Sequence, residues 1–178
     1  MNKCRSFLTL MLLAGLILVS GNLEADTPGP RVEEFVREVV QALDITPPEE
    51  VRDIFRDIPD QYAPYIDAAE QKGLISEDIL PLIGDPLTRE KAVTIMMRSL
   101  QDREVDETVL DKFTDAGEIT PELKPYMARA VATGFLAGYP DKRLAPREIL
   151  SGEQMEILLR RFNYVIRAHP LIEGLELK

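Results

Sequence analysis

The residues best suited to chemistry are Thr88 and Arg89, at the head of an amphipathic stretch. A helix that starts there has backbone N–H groups without intrahelical acceptors and the positive end of its dipole, so it can hold an anion. The fork of Arg89 would add bidentate hydrogen bonds to a carboxylate. In the plainer arrangement the Thr88 hydroxyl caps the helix, while Arg89 is solvated and buries little. Tyr62, Tyr65 and Tyr126 offer flat ring faces, and Tyr65 and Tyr126 fit equally well into a core that leaves their hydroxyls wet. Gly138-Tyr139-Pro140-Asp141 reads first as a turn and second as a loop lining a ligand.

Catalysis has little to work with. An enzyme needs a nucleophile, an acid–base pair or a metal. The single histidine, His169, stands beside Pro170, and Ser151 has no neighbouring base. Asp57, Asp60 and Asp115 suit turns and caps, and the Asp57–Asp60 spacing does not match a calcium-binding EF-hand loop. One Cys and one His exclude a disulfide framework and a Cys/His zinc site. The expectation is therefore no catalytic residue, no metal and no cofactor. With 21 basic against 31 acidic residues the net charge is −10. No basic stripe is present to displace counterions from phosphates, so nucleic acid is excluded as a partner. The same charge repels polyanions at long range, so binding one requires a specific short-range pocket.

The positioning elements are helical and repeated. Residues 63–75 align without gaps with residues 124–136, each with Pro in the first helical turn and Gly where a left-handed cap is needed. Phe55-Arg56-Asp57 and Phe113-Thr114-Asp115 precede the two copies. Beyond each copy lies a second helix with apolar residues at i, i+3, i+4 and i+7: Val93, Met96, Met97 and Leu100 in one, Met155, Leu158, Leu159 and Phe162 in the other. Val36, Val39, Val40 and Leu43 repeat that stripe near the start. One unit is too small to bury its own face, so the helices over 31–43, 88–100 and 152–163 are predicted to pack together. Helices near 64–72 and 125–133 would lie outside them. The fold class is all-α.

Residues 1–25 carry Lys3 and Arg5, then an apolar run over 7–19, then small and polar residues. This is the layout of a secretory signal peptide, and the run is short for a membrane span. Cleavage after Ala25 is preferred over cleavage after Gly21. The predicted organisation is a signal peptide over 1–25 and a repeat domain over 26–178. Within the latter fall a partial repeat at 28–44, repeats at 53–101 and 111–164, and a tail at 165–178.

In order and spacing, these residues resemble S-layer homology repeats. Phe55-Arg56-Asp57-Ile58-Pro59 matches that family's opening, Gly73-Leu74-Ile75 its helix exit, Gly138-Tyr139-Pro140-Asp141-Lys142 its loop, and Thr88-Arg89-Glu90-Lys91 in part its second-helix start. The resemblance implies a pseudo-threefold helical bundle, exported to the periplasm, cell wall or cell surface of a bacterium, with no membrane span in the mature chain. It also implies a non-enzymatic module that binds wall polysaccharide or peptidoglycan. The sites it suggests are Thr88, Arg89, Tyr62, Asp57, Gly138, Tyr139 and Asp141. The family's Trp after Phe-x-Asp is absent, and its helix-start Arg survives clearly only as Arg89. In the first copy Arg31 or Val32 takes that place, depending on register, and in the third Ser151 or Gly152. These departures favour an alternative, a degenerate scaffold that contacts other envelope proteins.

Overall fold

The computed structural model describes residues 29–100 and 104–168. Residues 1–25, read from sequence as a signal peptide, and His169 lie outside the described residues. Among these residues the chain forms five α-helices and no strand: α1 (Val32–Ala42), α2 (Ala63–Gln71), α3 (Arg89–Arg98), α4 (Lys124–Ala132) and α5 (Gly152–Ala168). The fold is all-α. Two isolated antiparallel bridges, Arg31 with Pro86 and Thr88 with Ile149, are its nearest approach to a sheet.

The aligned segments become α2 and α4. Each has its proline in the first turn, and each ends at a glycine in the left-handed region, Gly73 at φ 69° and Gly134 at φ 75°. Beyond those glycines, Leu74 N–H donates to the Ala69 carbonyl five residues back and Leu136 N–H to that of Ala130 six residues back, both at 2.9 Å, so a backbone bond closes each helix end.

The three apolar stripes enter one core. α1 packs against α2, α3 and α5, and α3 packs against α4. Val36, Val39, Val40, Val93, Met96, Met97 and Phe162 are fully buried, and Leu100 and Leu158 nearly so. Leu43, Met155 and Leu159 are only half-buried at its margin. α2 and α4 contribute Ile66 and Met127, both fully buried. α5 runs on to Ala168, past residue 164 where the third repeat was expected to give way to a tail.

The loops that lead into α1, α3 and α5 are joined to one another. Leu87 N–H donates to the Pro30 carbonyl at 2.8 Å, and Leu150 N–H to the Leu87 carbonyl at 2.9 Å. One residue into each helix the pattern repeats: Val32 N–H donates to Asp85 at 3.2 Å and Arg89 N–H to Glu148 at 3.0 Å. These bonds fix the register that the sequence left open. Arg31 and Thr88 both precede their helices, so Val32, not Arg31, stands where Arg89 stands in α3. In α5 the first residue is Gly152. Arg89 is thus the only arginine that opens one of these three helices.

Candidate functional site

The loop at 138–143 is built around two backbone requirements. Gly138 has φ +75°, and a Cβ there would stand 2.5 Å from Phe113 Cε1 and 3.0 Å from the Arg143 carbonyl oxygen, so only glycine fits. Tyr139 N–H donates to the Arg143 carbonyl at 2.8 Å and Lys142 N–H to that of Tyr139 at 3.0 Å. Asp141 accepts from Arg143 N–H at 3.1 Å and from its Nε at 2.7 Å. The loop is pinned from below by Asp115, whose carboxylate oxygens accept from Leu144 N–H and Ala145 N–H, each at 2.8 Å.

Held in this way, Tyr139 meets side chains from α3, from α5 and from the loop that leads into α5. The Arg89 guanidinium lies 4.9 Å from the Tyr139 ring centroid and donates to the Tyr139 hydroxyl. It also donates to Glu148 Oε2 at 2.9 Å. The Tyr139 hydroxyl donates to the same oxygen at 2.8 Å, and Gln154 Nε2 reaches Glu148 Oε1 at 3.0 Å. Gln154 is aimed by a capping box: its Oε1 accepts from Ser151 N–H at 2.8 Å, while its own N–H donates to Ser151 Oγ at 3.2 Å. Burial works to raise the Glu148 pKa, but hydrogen bonds from Gln154, Arg89 and Tyr139 outweigh it and hold the carboxyl below its ordinary value. Burial, and next the bond to Glu148, push the Tyr139 phenol up.

Beside this cluster opens a shallow pocket of about 240 Å³, whose lining includes Arg89, Ala137, Tyr139, Gln154, Ile157 and Arg161. It can take a small polar ligand that stacks on a ring and hydrogen-bonds to Arg89 and Gln154. Among the described residues no group of three or more His, Cys, Asp or Glu is gathered to hold a metal ion.

Of the residues singled out from sequence, Arg89, Gly138 and Tyr139 come together at this pocket. Asp141 is exposed and shapes the loop through Arg143. Thr88 stands just before α3, yet its hydroxyl makes no capping bond; Oγ1 is buried with no hydrogen-bond partner among the described residues. The anion site expected from free helix-start N–H groups is altered as well. Arg89 N–H and Glu90 N–H are taken by the Glu148 and Pro146 carbonyls at 3.0 and 2.9 Å. Nor is Arg89 a solvated surface residue, because its side chain is only 12% exposed. Tyr62 and Asp57 do not line the pocket. Tyr62 stands at the start of α2 with the Arg37 guanidinium 5.3 Å from its ring centroid, and Asp57 lies exposed in the preceding turn. Sequence reasoning missed Glu148 and Gln154. Ser151-x-x-Gln154 carried a capping-box signal for the second, whereas nothing local marks Glu148.

The described residues thus form an all-α domain whose helix-start loops bind one another, with an Arg–Tyr–Gln pocket at their junction. Residues 112–156 match the family model of the S-layer homology domain. The matched stretch includes the 138–143 loop, Glu148 and Gln154, whereas Arg89 comes from outside it. No curated protein and no solved structure matches the chain. S-layer homology domains are binding modules of the cell surface, commonly of its wall polymers. Among the described residues no helix is long and apolar enough to cross a membrane.

Proposed function

We propose that this protein is exported by its N-terminal signal peptide and acts as a non-enzymatic cell-envelope module that binds an acidic wall glycopolymer or peptidoglycan. The observation that carries this reading is the pairing of Arg89 with Tyr139 beside an open pocket: a buried-stem cation against an aromatic face, with Gln154 as a further donor. Such a set recognises a sugar that bears a carboxylate. The ring takes stacking contact, the guanidinium takes the charge, and the amide fixes orientation. The three stripe helices form the pseudo-threefold bundle in this proposal, with Thr88, Gly138 and Asp141 shaping the pocket rather than touching ligand.

One observation favours the second reading, a scaffold for other envelope proteins. The Arg89 guanidinium is already engaged by the chain's own Glu148, and neither α1 nor α5 opens with an arginine.

The deciding experiment is co-sedimentation with purified sacculi, with and without their attached polymer. Arg89→Ala should lower affinity about ten- to a hundredfold, and Arg89→Lys should recover only part, since lysine keeps the charge and loses the fork. Equal binding by all three proteins assigns the scaffold role.

A further inference from the structure

The pocket beside Arg89 does not end there. A second depression of about 710 Å³ runs along the C-terminal half of α5, and its lining includes Phe135, Ala137, Ile157, Arg160, Arg161 and Tyr164. Ala137, Ile157 and Arg161 line both pockets. Together the two make one trough between α5 and the segment 133–139. Along α5, Gln154, Ile157, Arg161 and Tyr164 recur at spacings of three and four residues, so they follow one side of the helix. From Gln154 to Tyr164 that side is ~15 Å long, longer than a single sugar ring.

Its chemistry is anomalous for a chain with a net charge of −10. Arg160 and Arg161 are both exposed, and neither forms an ion pair or side-chain hydrogen bond among the described residues. Tyr164 is 71% exposed and Ile157 38%, two of the four large apolar or aromatic side chains most open to water among the described residues. Glu153 and Glu156, on the same helix, line neither pocket. Two unpaired cations, an open tyrosine face and an apolar floor, all continuous with an Arg–Tyr pocket, suit a chain that carries anionic groups at intervals along its length.

We infer that the trough along α5 is a second subsite, in which Arg160, with Arg161 at the boundary to the first pocket, takes a further anionic group of the same glycan chain while Tyr164 stacks on a neighbouring sugar. This rests on the reading of Arg89 as the first subsite. The ligand class is then an anionic oligosaccharide of at least two repeating units. The second contact is made intramolecularly once the first has formed, so chain length raises affinity without altering the first contact.

The test uses the full chain with two probes: anionic polymer released from sacculi, and the same polymer hydrolysed to single repeating units. Arg160→Ala and Tyr164→Ala, at residues that line the α5 depression and not the first pocket, should each weaken polymer binding roughly five- to twentyfold and change single-unit binding less than about twofold. Arg89→Ala should weaken both probes, which checks the first subsite separately. Both side chains lie at the surface, so the melting temperatures of these two variants should stay close to that of wild type. The second subsite is overturned if Arg160→Ala and Tyr164→Ala bind polymer like wild type, or if they lose single-unit binding equally. It is also overturned if they turn a wild-type dimer into a monomer by light scattering without affecting glycan binding, because the trough is then an interface between copies. If Arg89→Ala binds both probes like wild type while the α5 variants do not, the first subsite is wrong and the α5 trough alone is the site.

Discussion

Arg89 and Glu148 lie 59 positions apart in sequence and meet at 2.9 Å where the loops entering α3 and α5 are joined. The same Glu148 residue accepts the Arg89 backbone N–H through its carbonyl at 3.0 Å. One glutamate therefore engages both the charge and the amide that a ligand carboxylate would be expected to use. In the proposed function, ligand and Glu148 compete for one guanidinium.

Glu148→Gln tests that competition directly. The amide oxygen can still accept from Arg89, but the amide nitrogen then faces the Gln154 Nε2 donor, and the side chain no longer neutralises the arginine. Binding to polymer-bearing sacculi should tighten by about three- to tenfold, as expected for release of a partly exposed ion pair. Co-sedimentation at matched salt measures it; unchanged or weaker binding rules the competition out.

Arg89→Ala should also cost stability, contrary to what a solvated helix-start arginine would do. The side chain is 12% exposed, stacks on Tyr139 and answers Glu148. Its removal leaves a carboxylate with one partner fewer, discounted because Glu148 is 36% exposed. We expect a loss of about 1–2 kcal/mol, read by chemical denaturation.

Acid should destabilise the fold. Burial pushes the carboxyls of Asp67 and Asp78 up, but hydrogen bonds from Arg52 and Gln71 to the first, and from Arg98 and Ser76 to the second, outweigh it and hold both low. Glu148 is held low in the same way. A folded pKa below the unfolded one means that the unfolded chain takes up protons first. The stability from these groups is complete above the ordinary carboxylate range and is lost as pH falls through the depressed folded values, below about pH 4. Thermal melts from neutral to acid pH should show that decline, and Asp78→Asn should flatten part of it.

Two backbone positions in the site loop should respond in opposite directions. Gly138→Ala places a Cβ against Phe113 at φ +75° and should cost about 1–3 kcal/mol. Lys142 holds φ +65°, in the left-handed region that favours glycine. Lys142→Gly should relieve left-handed strain and gain roughly 0.5–1 kcal/mol after the entropic cost of glycine. Melting temperatures of the two variants decide it.

Val40→Asp and Met97→Asp place an unpaired charge where wild type has no exposure. Each should lose on the order of 3–5 kcal/mol. Wild-type melting in both would remove α1 and α3 from the core.

The sequence by itself determined the helices and the side they bury. Stripes at i, i+3, i+4 and i+7, the prolines of α2 and α4, and Gly73 and Gly134 act within a few residues of one another, so local chemistry is enough to specify them. Gly138 and Tyr139 were legible for the same reason, as parts of one turn. Tertiary structure alone decided the register of the helix starts, because it depends on hydrogen bonds from Leu87 to Pro30 and from Leu150 to Leu87, between loops far apart in the chain. It also decided that Arg89 is buried against Tyr139 and Glu148, and that Tyr62 and Asp57 lie away from that pocket. A side chain's burial and partner depend on which distant loops pack against it, and neither periodicity nor composition records that.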